Sequence, residues 1–88
     1  MLAREAALLD RARAEAKTDP ELALRSLIEH EQQFPAAGMQ NEAKLIKLEA
    51  LLRLSRREEA DELAGKIVAR DASLAKPVQK LLEGVRPR

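Results

Sequence analysis

The sequence predicts an all-α protein: two antiparallel helical hairpins followed by a C-terminal capping helix, about five helices in one domain. Its dominant residues are Leu, Ala, Glu, Arg and Lys, which lose little conformational freedom on entering a helix. Val and Ile are scarce and Phe34 is the one aromatic residue, so a β-sheet has little to build from. Apolar residues recur at helical spacing between short breaks. The expected parts of the domain at 1–88 are hairpin 1 (about 2–35), hairpin 2 (about 39–71) and the capping helix (about 74–84).

The first hairpin is divided by a clear boundary signal. Helix 1 is predicted from about Leu2 to Lys17, where an apolar stripe ends. Asp19 then suits an N-cap and Pro20 suits the first helical position, since a proline there loses no intrahelical hydrogen bond. Helix 2 is predicted to run to about Gln33, because Pro35 cannot continue it.

The third helix is predicted at the centre of the fold. The segment 35–38 before it is the expected main loop, in which Gly38 would supply a backbone angle that other residues resist. Helix 3 itself, from about Gln40 to Leu54, is the most apolar of the helices. Its apolar surface is too wide for contact on one side only, so it should be covered on two sides.

The second hairpin and the capping helix follow. Ser55 and Glu58 have the spacing of a capping box, which predicts Ser55 as N-cap of a helix from Arg56 to about Arg70. Within that helix, Gly65 is expected to let two helices approach closely. A last short helix is predicted from Leu74 to about Glu83.

The two hairpins repeat each other. Ala23 and Ala60 each follow a turn between two helices, and their separation is near the roughly 34-residue period of tetratricopeptide repeats. With the closing Pro35, these small residues resemble the tetratricopeptide pattern, in which Ser55 stands where glycine is common. The resemblance implies stacked helical hairpins that act as a non-catalytic scaffold for protein–protein interaction.

A narrower resemblance is to short tetratricopeptide-like segments at the C-terminal ends of bacterial envelope and regulatory proteins. It implies a domain of a longer, anchored chain whose groove faces the periplasm, whereas a complete chain would be expected in the cytoplasm. The residues that carry it are Ala23, Leu24, Leu27, His30, Phe34, Pro35, Gly38, Glu42, Ala43, the 49–51 segment and the 57–60 segment.

Composition argues against several other functions. Sixteen basic and 15 acidic residues give a net charge of +1, without the basic surplus that a nucleic-acid partner usually needs. Cysteine is absent and His30 is the only histidine, so neither a metal nor another cofactor is expected. No nucleophile motif accompanies His30, so catalysis is not expected. We expect a structural role instead, in which His30 caps its own helix or bridges to the next hairpin. The short apolar runs predict no membrane contact.

The resemblance also places a binding site, because the first helix of each hairpin lines the concave face of a tetratricopeptide array. Leucines flanked by carboxylates there suit an amphipathic or basic peptide of a partner protein. The alternative is that these leucines are core, or are covered by another copy in a self-association module of a larger protein. The predicted groove residues are Glu5, Leu8, Ala12 and Glu15 from helix 1, and Glu42, Leu45, Glu49, Leu52 and Arg53 from helix 3.

Overall fold

The structure, a computed structural model, describes residues 2–34 and 39–85, which form helices and short turns and no strand. The expected loop at 35–38, with the role assigned to Gly38, lies outside the described residues. Helix ends agree with the sequence-based boundaries to within about one residue, the usual scatter of such assignments. The elements are α1 (Leu2–Thr18), α2 (Pro20–Gln33), α3 (Gln40–Arg53), α4 (Arg57–Arg70), a 3₁₀ turn (Ala72–Leu74) and α5 (Ala75–Gly84).

The α1–α2 hairpin turns through a single residue. The Leu22 N–H donates to the Asp19 carboxylate at 3.3 Å, and Pro20 occupies the start of α2, which confirms the predicted N-cap. The Ser26 hydroxyl donates to the Glu15 carboxylate at 2.6 Å. Since residues near the end of α1 meet residues near the start of α2, the two helices are antiparallel.

Helix α3 contacts α1, α2, α4 and α5, as its wide apolar surface predicts. Two clusters of buried side chains make up the core. The first joins α1, α2 and α3 and includes Leu9 and Ile46, and the second joins α3, α4 and α5 and includes Leu48 and Ile67. Because α3 contributes to both clusters, it is the shared wall of the core.

The C-terminal helix closes the second cluster. The Asp71 carboxylate accepts from the Ser73 N–H at 3.1 Å and starts the 3₁₀ turn that leads into α5. Val78 of α5 is buried against α3 and α4. The predicted capping helix is therefore present and covers the end of the second hairpin.

Ser55 is not the N-cap of α4, and the predicted capping box with Glu58 is wrong. The N-cap is Arg56, whose side chain makes no capping hydrogen bond, while Ser55 has a left-handed φ of 61°. The Ser55 N–H donates to the Leu52 carbonyl at 3.2 Å and the Arg56 N–H to the Leu51 carbonyl at 3.0 Å. This pair of bonds is a Schellman motif, so Ser55 ends α3 and does not start α4.

The close helix approach expected at Gly65 is also wrong. Gly65 lies on the exposed side of α4, and a Cβ built there would meet no atom within 4 Å outside its own helix. Ala60 and Ala64 make the buried contact of α4. The small side chains at the helix interface are therefore the alanines, and Gly65 only leaves surface uncovered.

Replacing Ser55 with Gly should stabilise the fold by about 0.5–1 kcal/mol, because glycine reaches a left-handed φ without steric cost. Ser55→Ala should change stability by less than about 0.5 kcal/mol, since no capping bond is lost. Urea denaturation of the two variants measures both. A loss of about 1 kcal/mol in Ser55→Ala would instead restore Ser55 as an N-cap.

Candidate functional site

A buried polar pair lies inside the α1–α2 hairpin. Glu5 and His30 are 2% and 1% exposed, and Glu5 Oε2 lies 2.8 Å from His30 Nε2. An ionised carboxylate can only accept, so Nε2 carries the hydrogen in that state. The His30 ring also contacts Phe34, with ring centroids 5.7 Å apart.

This arrangement corrects both roles expected for His30 and the position expected for Glu5. The imidazole bonds to α1 of its own hairpin, so it neither caps the last carbonyls of α2 nor bridges to the second hairpin. Glu5 is buried as one member of the pair and does not line a groove. Since neither side chain is open to solvent, the pair contributes to the packing of the hairpin.

Three more of the predicted groove residues do not line an open surface. Leu8 and Ala12 of α1 and Leu52 of α3 are buried. Glu15 is half-buried and accepts a hydrogen bond from Ser26 of α2. The prediction was wrong for the three buried side chains, because spacing along a helix does not distinguish a residue on the groove floor from one under a neighbouring helix.

A groove does form between α1, α3 and α5, and three of the predicted residues lie in it: Glu42, Leu45 and Glu49. Arg53 lies one turn beyond Glu49 on α3 and pairs with it. The groove encloses about 430 Å³. Its lining consists of Arg13, Lys17, Glu42, Leu45, Ile46, Glu49, Pro77, Lys80 and Leu81.

The charges of this α1–α3–α5 groove differ from the sequence-based expectation. Glu42 pairs with Arg13 of α1 at 3.3 Å, and Glu49 pairs with Arg53 at 3.1 Å. Both carboxylates thus have a basic partner within the protein, and Arg13 is shared with Asp10 at 2.9 Å. Lys17 and Lys80 form no ion pair within the part of the chain that the structure describes. Because the carboxylates are paired and the two lysines are not, the groove has a surplus of positive charge.

A second groove lies between α2, α3 and α4 and encloses about 290 Å³. It faces away from the first, because its α3 residues lie on the opposite side of the helix at 100° per residue. Beside it stands Ile28, 55% exposed. With Leu22 at 41%, it is one of two exposed large hydrophobic residues at positions 4–34 and 39–85. The lining of this α2–α3–α4 groove consists of Leu24, Leu27, Ile28, Glu31, Gln40, Ala43, Lys44, Lys47, Leu51, Arg56, Glu59 and Leu63.

The sequence reasoning missed both this second groove and the Glu5–His30 pair. The signal for the pair was present, because Glu5 and His30 stand within the apolar stripes of α1 and α2 at comparable distances from the turn at Asp19. Ile28 gave a signal as well, since it extends the apolar face of α2 beyond the width that one neighbour covers.

Metal-binding clusters and membrane-spanning helices are absent from residues 2–34 and 39–85. No three His, Cys, Asp or Glu side chains come together there in a way that could hold a metal ion. None of the helices in those ranges has the length and hydropathy needed to cross a membrane. Comparison of the chain with protein-family models, curated proteins and solved structures finds no match.

The Glu5–His30 pair predicts a strong energetic coupling. His30→Phe keeps the ring contact with Phe34 but leaves a buried carboxylate unpaired, so it should cost about 3–5 kcal/mol. Glu5→Leu leaves only an imidazole unpaired and should cost about 1–3 kcal/mol. The double variant removes both polar groups, so its loss of stability should be much smaller than the sum of the losses in the two single variants. Chemical denaturation of all four proteins measures the coupling, and simple additivity would show that the pair does not act as a unit.

Proposed function

We propose that this chain is a non-catalytic protein-interaction module whose α1–α3–α5 groove binds a peptide or helix segment of a partner protein. The observation that carries the proposal is a partly exposed apolar floor, Leu45 and Leu81, in an open groove framed by three helices. Grooves of this kind accept the apolar side chains of extended or helical segments. The tetratricopeptide resemblance supports the same face, since α1 and α3 are the first helices of the two hairpins.

The groove also suggests what kind of segment it takes. An apolar anchor fits between Leu45 and Leu81, and Lys17 and Lys80 are available to carboxylates beside it. Complementary charges of this kind favour the correct partner and disfavour a segment of the same sign. The proposed ligand is therefore an apolar side chain with acidic neighbours, which fits the amphipathic alternative of the sequence-based expectation and not the basic one.

A selection from a random-peptide library, with the folded protein as target, tests this function. The affinity of the selected peptides is then measured for the native chain, Leu45→Asp and Ile28→Asp. Ile28 is exposed, whereas Leu45 is partly buried and packs against the second cluster, so binding is compared only after circular dichroism shows that both variants keep the native spectrum. Leu45→Asp should weaken binding by at least about tenfold, as for a central contact residue, and Ile28→Asp should leave it unchanged.

Each other outcome has a distinct meaning. Loss of binding in Ile28→Asp alone would move the interaction to the α2–α3–α4 groove. Failure to select any peptide would contradict the binding function itself. Leu52→Ser is unsuitable as a second groove variant, because Leu52 is buried and its loss tests the core.

A further inference from the structure

The α2–α3–α4 groove combines an apolar recess with an apolar projection. Leu24, Leu51 and Leu63 line the recess, and Ile28 stands at its edge with more than half of its surface in solvent. A single exposed isoleucine is ordinary on a protein surface, but one at the edge of an apolar groove extends a continuous patch. A partner that covers this patch must both fill the recess and cover Ile28.

We propose that a second copy of this chain docks on this face, with each Ile28 placed against the recess of the other copy. A copy of the chain supplies both of the required features on one surface. In a two-fold dimer every contact occurs twice, so a patch that carries its own projection and recess is self-complementary.

The charges around the patch support a second copy over a partner of one sign. Glu31 and Glu59 contribute two carboxylates and Lys44 and Lys47 contribute two ammonium groups. None of the four forms an ion pair within the described ranges. Arg56, the remaining charge, is already paired with Glu21 at 2.9 Å. The rim is therefore balanced, and two such rims meet without net repulsion and with opposite charges available to each other.

This surface is independent of the proposed peptide groove. The α3 residues of the two grooves lie on opposite sides of that helix, Lys47 in one and Leu45 in the other. Docking of a second copy on the α2–α3–α4 face leaves the α1–α3–α5 groove of each copy open. Failure of either proposal therefore leaves the other standing.

Sedimentation of the native chain between about 10 μM and 1 mM tests the docking, a range in which small interfaces dissociate. The weight-average mass should rise with concentration towards a dimer. Ile28→Asp should raise the dissociation constant by at least about tenfold, because a carboxylate would enter the apolar recess. Leu22→Asp is the matched control, because Leu22 is an exposed large hydrophobic residue that lines neither groove, and it should sediment as the native chain. A native chain that stays monomeric throughout, or dimers unaffected by Ile28→Asp, would overturn the proposal.

A charge-swap experiment tests the partner without requiring any particular pairing. The variant with Lys44→Glu and Lys47→Glu has an acidic rim, and the variant with Glu31→Lys and Glu59→Lys has a basic rim. Each alone should be monomeric because like charges meet. An equimolar mixture should associate at least as tightly as the native chain, and more weakly as salt is added. A mixture that remains monomeric while both variants keep the native circular-dichroism spectrum would show that this face does not meet its own copy.

Discussion

The burial of α3 between two apolar clusters is the constraint on which the rest of the structure depends. Its buried residues are Ala43, Ile46, Leu48, Ala50, Leu51 and Leu52. Each large apolar side chain among them contributes about 1.5–3 kcal/mol to stability on leaving water. Both clusters include some of these α3 residues: the first contains Ala43, Ile46 and Ala50, and the second contains Leu48, Leu51 and Leu52. The two grooves are consequences of the same arrangement. The α1 and α5 helices border α3 on one side and α2 and α4 on the other, and each pair leaves part of α3 uncovered.

Much of this arrangement could be predicted from the sequence, because the signals involved are local. Asp19 and Pro20 mark a helix start by hydrogen-bonding chemistry that acts over a few residues. The central place of α3 followed from leucines on more than one face. Ser55 shows where local signals become ambiguous. Its spacing to Glu58 fits an N-cap, but the same residue reverses the chain at the end of α3, and one residue cannot do both.

The candidate site was less predictable, because it depends on which helix crosses over which position. Leu45 and Leu52 lie on one side of α3, yet the first is partly open in the groove and the second is buried against its neighbours. Pairing of charges across helices, such as Arg13 with Glu42, likewise requires the packed structure. The Glu5–His30 pair could have been predicted from the sequence. Two polar groups in facing apolar stripes of one hairpin lose less free energy on burial when they pair than when each is buried alone.

Native-state hydrogen exchange of the backbone amides tests the central claim most directly, that α3 is the wall shared by both clusters. If it is, the core amides of α1, α3 and α4 should exchange only through global unfolding, with one common free energy and one common dependence on denaturant. A lower opening free energy for α4 and α5, with α1 to α3 still protected, would contradict the account, because the second cluster would then open without disturbing α3.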